Sequence, residues 1–176
     1  LPPPPSFEHT EPRYIVRNDL EQVHIAMARP ICGRNSEDIY PLYVLNTALG
    51  SGMSSILLHE IREKEGFVYD VFSQIYALKE TGIIIVYAAL SPEKIDEFFS
   101  KMKDVLSNES LFMKNFEYGK MRYLGKLDMV TDNPAGMMSF VIDDLSNDSL
   151  ETIEERVERI KNVSKEDYRR AYERFI

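Results

Sequence analysis

With 176 residues, 44% of them hydrophobic and 28% charged, the chain has the make-up of one globular domain large enough to bury a core, and a second full domain is not expected. Its 21 Lys and Arg against 29 Asp and Glu leave a formal charge of −8, with the basic residues dispersed rather than gathered into a stripe, which argues against nucleic-acid binding. The longest apolar run, Ile83 to Leu90, is strand-sized and far short of the roughly 20 residues that span a bilayer, so no membrane association is expected.

The chain opens on Leu1-Pro2-Pro3-Pro4-Pro5 with neither an initiator Met nor a basic-plus-apolar leader, which reads as an extended interdomain linker over residues 1–12 and predicts a piece of a longer protein. Residues 13–176 then form a single domain. Tyr14-Ile15-Val16 predicts a first strand, Asn18-Asp19 a turn, and Gln22 to Ala28 a second strand with Val23, Ile25 and Met27 on one face. A lone Cys32 has no internal disulfide partner and suits a reducing, cytoplasmic setting. Ser36 is placed to cap a helix whose apolar positions Leu42, Leu45, Ala48 and Leu49 follow helical spacing and which Gly50 stops. A second helix runs from about Ser54 to Glu65, with Leu57 and Ile61 one turn apart on its buried side and Gly66 as its stop.

Phe67 to Tyr76 is rich in aromatic and β-branched residues, and Lys79-Glu80-Thr81-Gly82 turns it into the apolar run Ile83 to Leu90, predicting a hairpin whose second strand is central. Ser91-Pro92, with Ser91 as cap, opens a helix in which Ile95, Phe98, Phe99, Met102, Val105 and Leu106 make one apolar stripe. The rest reads as helix: Phe112 to Val130, another from Pro134, and a third defined by Leu150, Ile153, Val157 and Ile160. That third helix has glutamates early and Arg156, Arg159 and Lys161 late, matching the macrodipole. Ser164 with Asp167 resembles a capping box, opening a last helix that buries Tyr168, Ala171, Tyr172 and Phe175. Paired strands and a block of helices predict an α+β fold, an antiparallel-rich mixed sheet with helices packed on one face.

Metal-assisted peptide hydrolysis needs two imidazoles on one helical face and a carboxylate. His9, His24 and His59 fall on three separate segments, and neither His-Glu-x-x-His nor His-x-x-Glu-His occurs. His59-Glu60 is a dipeptide whose side chains point about 100° apart on a helix, so His59 is expected to face solvent or a partner. Ser51-Gly52-Met53-Ser54-Ser55 lacks both the nucleophile elbow and the Lys-Ser/Thr ending of a phosphate loop. Its plain reading is a helix stop and restart, although glycines there leave backbone donors open to a passing peptide. Arg62 and Tyr69 flank the bend of Arg62-Glu63-Lys64-Glu65-Gly66-Phe67-Val68-Tyr69. They read either as a dipole-matching cation and a strand aromatic, or as a guanidinium that holds a peptide carbonyl beside a phenol that donates to a developing oxyanion.

Gln22-Val23-His24-Ile25, the stretch Leu45 to Ser55, Arg62 to Tyr69, Gly82 and the Ser91-Pro92-Glu93-Lys94 helix start together resemble the second homologous half of pitrilysin/insulinase-type zinc peptidases, nearest to bacterial relatives of the mitochondrial processing peptidase. The resemblance runs from about Glu21 to the end and is most specific over Leu49 to Tyr69. It implies a processing-peptidase-like half-domain of a bacterial protein that faces a zinc-bearing N-terminal half, in the same chain or a partner subunit, around a closed chamber. The inverted zinc motif lies in that other half. Zinc is then the cofactor of the full-length enzyme, none is bound here, and the fragment alone is inactive. The family's Arg and Tyr map onto Arg62, holding a substrate carbonyl, and Tyr69, donating to the oxyanion. Gly50, Ser51 and Gly52 are read as a substrate-binding loop for a peptide from their open backbone donors, and since the loop is much poorer in glycine than the presequence-recognition loop of processing peptidases, no presequence role is carried onto it. A homodimer is compatible with this. Ile56 stands where members often carry Arg, and His59 where they carry an amide or acid, which touches the loop's contacts rather than the fold. Two other readings stay open: a non-catalytic core subunit of the same fold, and a peptide-binding module that works by strand addition at an exposed edge.

Overall fold

A computed structural model describes residues 11–17, 19–66, 68–148 and 151–176. The proline-rich opening through residue 10, Asn18 of the expected turn, Phe67 and Leu150 lie outside the described residues. Three strands, β1 (Val23–Cys32), β2 (Val68–Ala77) and β3 (Thr81–Leu90), form one antiparallel sheet in the order β1-β3-β2. The hairpin β2–β3 is present as the sequence predicts, and β3 is central. Pro30, which has no N–H for a ladder, sits on the edge strand β1 opposite Ile83, where an edge tolerates it.

Tyr14-Ile15-Val16 is not a strand. These residues make no ladder pairing with a described strand and stand 87%, 76% and 86% exposed, so no burial holds them at the free edge of β1.

Period-two alternation decides the faces. Val86, Ala88 and Leu90 of β3 are buried, and their partners Met27, Ile25 and Val23 share that side, so the helices cover this face. The opposite face carries Ala26, Ala28, Tyr87, Phe72 and Tyr76 and is far more open. Helix α1 (Ile39–Gly50) is buried nearly all round, as a helix enclosed by neighbours must be, between β2 and the later helices α4 (Phe116–Thr131) and α7 (Lys165–Phe175). Ser36 contributes less than a cap: its Oγ accepts from the Asp38 N–H at 3.3 Å, and Asp38 occupies the cap position. Gly50 ends α1 for a reason of packing. A Cβ there would stand 2.3 Å from the Ser73 backbone N, so the helix end can touch β2 only without a side chain. Gly50→Ala is expected to lower stability by about 1–3 kcal/mol, read as a lower urea midpoint at unchanged slope.

After β3, Pro92–Lys94 forms one 3₁₀ turn into α2 (Ile95–Leu106), which buries Phe98, Met102 and Val105. Phe99 leaves the predicted stripe and is 45% exposed, rotated onto the flank where its ring meets Phe98 edge-on. The expected long helix from Phe112 to Val130 is two, α3 (Glu109–Lys114) and α4, broken at Asn115. There the Asn115 amide donates to the Leu111 carbonyl at 2.8 Å, drawing a backbone acceptor out of the helical ladder. Helix α5 (Pro134–Ser146) starts at its proline, and α6 (Ile153–Asn162) and α7 each carry a complete capping box, Thr152 with Glu155 and Ser164 with Asp167. None of the described helices is long and apolar enough to cross a membrane.

Arg156 departs from the dipole reading of α6, which Glu154 and Glu155 in the first turn and Arg159 and Lys161 in the last turn fit. It lies on the apolar stripe between Ile153 and Ile160 and is 5% exposed, its guanidinium donating to Asp144 at 2.9 Å and to Glu151 at 2.7 Å and lying over the Phe140 ring. Asp144 also accepts from Arg34 at 3.2 Å and from the Glu151 N–H at 2.8 Å. The network joins α5, α6 and the loop after β1.

Candidate functional site

Arg62 and Tyr69 are carried by the two elements that meet at Gly66, and each element is irregular at that point. The helix before the bend is wound as a π-helix over Leu58–Glu63, with the Lys64 N–H donating to the His59 carbonyl five residues back. One residue more per turn still lets Leu57, Leu58 and Ile61 reach the core and leaves Arg62 on the open side. Such insertions recur at functional sites. Gly66 then turns the chain at φ +70.

On the strand side the ladder slips. Val68 pairs with Leu90 and Asp70 with Ala89, so Tyr69 is an extra residue with no partner, a β-bulge. Without it, Val68 and Val71, three apart, would point to opposite faces. With it both are buried, and Tyr69 and Asp70 both point outward. Tyr69 is 53% exposed, and its Oη lies 3.0 Å from Ser91 Oγ, where either atom can donate. Ser91 therefore does not serve as a side-chain cap, although it occupies that position ahead of Pro92; its hydroxyl meets Tyr69 instead. When Ser91 donates, the phenolic proton is free to point outward.

Charges around Arg62 are already paired with one another. Glu60 accepts from Lys64 at 2.8 Å and meets His59 Nδ1 at 3.2 Å, and Glu65 pairs with Lys101 at 2.6 Å. Hydrogen bonds from Lys64 and His59 hold the Glu60 carboxyl below its usual range against the opposing effect of burial. Arg62 has no ion pair or side-chain hydrogen bond with a described residue and is exposed. The bend thus offers one unclaimed guanidinium and one outward phenol.

The loop of Gly50, Ser51 and Gly52 lies on a different contact. Gly50 abuts β2, Ser51 Oγ accepts from Lys126 of α4, and Gly52, at φ +116, faces Tyr118 and Arg122 of α4. Sequence reading missed these α4 residues, although Tyr118, Arg122 and Lys126 recur at four-residue spacing. His24 stands on the open sheet face with Nδ1 2.6 Å from Tyr87 Oη, and His59 on the π-helix. Among the described residues no three His, Cys, Asp or Glu side chains are grouped so as to hold a metal ion. The described His, Cys, Asp and Glu side chains are therefore not arranged as a zinc site.

Comparisons with known proteins give one family profile and a shared fold. The profile described as the peptidase M16 inactive domain matches residues 1–120. An uncharacterized zinc protease of Mycobacterium tuberculosis is 38% identical over 94 residues, covering 53% of this chain and 22% of the relative. In three dimensions a protease from Helicobacter pylori superposes with a TM-score of 0.78 at 15% identity over 90% of this chain and 40% of that one. A peptidase M16 inactive domain from Pseudomonas fluorescens gives 0.70 at 18% identity, over 88% and 38%. The aligned part of the chain thus spans about a fifth of the length of its curated M. tuberculosis relative.

Proposed function

The chain belongs to the peptidase M16 inactive domain family, and from that membership we propose that it is the substrate-binding, oxyanion-stabilising half of a zinc endopeptidase. Its partner is a zinc-bearing half that it faces across a chamber. The observation that carries this reading is the bend: on one side a guanidinium without a described acid as partner, and on the other a phenol that a bulge turns outward.

Hydrolysis of a peptide bond passes through a tetrahedral carbon bearing an oxyanion, and donors fixed in advance at that oxygen lower the barrier because they need no reorganisation. Tyr69 Oη is such a donor, oriented from behind by Ser91 Oγ. Arg62 presents a planar fork to a backbone carbonyl of the substrate, which positions the scissile bond without taking part in proton transfer. Zinc, held by the other half, supplies the activated water when bound.

The test is kinetic and uses the complete protein with an unstructured fluorogenic peptide. Arg62→Ala is expected to raise KM about tenfold or more with a smaller change in kcat, the signature of a lost charge-assisted contact made in both ground and transition states. An unchanged KM would remove Arg62 from substrate binding. The isolated chain is expected to hydrolyse nothing. If the complete protein also fails to turn over peptide with zinc supplied, the non-catalytic core-subunit reading takes its place.

A further inference from the structure

The chain's formal charge is −8, yet one place concentrates uncompensated positive charge. Tyr118, Arg122 and Lys126 occur at every fourth position of α4, so their side chains share one stripe. That stripe runs under the loop that joins α1 to the π-helix. Lys126 donates to Ser51 Oγ. A Cβ on Gly52 would stand 3.3 Å from Arg122 Nε and 3.5 Å from Tyr118 Oη, so the missing side chain at Gly52 keeps the way to both donors clear. At φ +116 that position is one L side chains rarely adopt, so the opening is built into the backbone.

Two cations a turn apart on one helix repel each other. Here neither is relieved by a described carboxylate; Lys126 has Ser51 as its polar contact and Arg122 has none. Burial, and secondarily the charge of Arg122, lower the Lys126 pKa. Most other basic side chains in the second half of the chain are claimed by acids, among them Arg156, Arg159, Lys161, Arg169, Arg170 and Arg174. The stripe at the loop therefore presents donors suited to an anion with two oxygens.

We propose that Arg122 and Lys126, reaching under Ser51 and Gly52, form a carboxylate-binding subsite that gives this protein a preference for acidic peptides. A carboxylate there would accept from the Arg122 guanidinium and the Lys126 ammonium, with the Tyr118 hydroxyl as a further donor. The subsite extends the peptide-handling role proposed above and rests on it. Its carboxylate can come from an Asp or Glu side chain or from a free C-terminus of the peptide.

The complete protein is measured against four fluorescent peptides of one length, with a central Glu or Gln and a free or amidated C-terminus. Binding is read by anisotropy and cleavage by fluorescence. Wild type is expected to bind a carboxylate-bearing peptide about tenfold more tightly than its neutral match, with the margin shrinking as salt rises. In Arg122→Gln/Lys126→Gln that margin disappears while the neutral peptide binds as before; circular dichroism confirms the fold, and Arg122→Gln alone, at an exposed position, gives a partial loss. A margin that follows Glu over Gln assigns the subsite to a side chain, and one that follows the free terminus assigns it to the C-terminus. Equal binding of all four peptides by wild type, or an undiminished margin in the double variant, overturns the subsite. If the binding margin is present and no peptide is cut, the peptidase role fails and the subsite stands.

Discussion

Tyr69→Phe in the complete protein is expected to lower kcat by about 100- to 1000-fold while KM and zinc content stay close to wild type, because it removes the proposed donor to the transition-state oxyanion and, besides that, only the exposed contact to Ser91 Oγ. The ring keeps its place: its backbone is held by the bulge between Val68 and Asp70, and both valines that flank the outward pair are anchored in the core. The substitution therefore separates chemistry from folding. Ser91→Ala supplies a graded companion. It removes the oxygen 3.0 Å from the phenol, so the phenolic proton loses its orientation and kcat is expected to fall by about tenfold or less. Full activity in Tyr69→Phe would end the oxyanion role, and a Ser91→Ala defect larger than that of Tyr69→Phe would place the reacting group at the serine instead.

Asp144→Ala is the substitution expected to cost the fold most, about 3–5 kcal/mol. Asp144 is 4% exposed and accepts from Arg156 at 2.9 Å, Arg34 at 3.2 Å and the Glu151 N–H at 2.8 Å. Its removal leaves the buried Arg156 with one acid where it had two and Arg34 with Asp143, which is largely exposed. A guanidinium cannot shed its charge to escape burial, so the cost appears in stability. Equilibrium urea unfolding measures it. Glu37→Ala, which removes an exposed contact to Arg159, is the control and is expected to leave the midpoint nearly where it was. Equal midpoints for both variants would show that the network contributes no more than a surface pair.

Local chemistry made much of the architecture readable. Hairpin β2–β3, the start of α5 at Pro134 and the capping box of α7 follow from residues within a few positions of one another, where turn and cap geometry act before any packing, whereas the capping box of α6 was passed over. The breaks were less visible because each comes from a competition that helical periodicity ignores. Asn115 diverts a carbonyl from its helix, and the segment Tyr14-Ile15-Val16 has strand-forming residues but stays exposed, with no buried face to hold it at an open sheet edge. Two further signals were present and passed over. Val68 and Val71 can be buried on one face only if the strand is irregular between them, as it is at Tyr69, and Arg156 interrupts the stripe from Ile153 to Ile160.

From its sequence alone, this protein reads as an α+β domain with an Arg and a Tyr set about one glycine turn and without either zinc-binding motif, His-Glu-x-x-His or His-x-x-Glu-His, because residue type, spacing and local turn chemistry are sufficient for each of those statements. Its reading as a half-domain comes from the family resemblance. Tertiary structure decided how those residues are presented. The π-helix and the bulge turn Arg62 and Tyr69 outward, Ser91 reaches Tyr69 from 22 positions away, Arg34 meets Asp144 across 110, and α4 brings its cations beneath the Gly50–Gly52 loop. Such pairings depend on which elements the core drives together. Burial of apolar faces does not act through separation along the chain, so no local pattern could announce them.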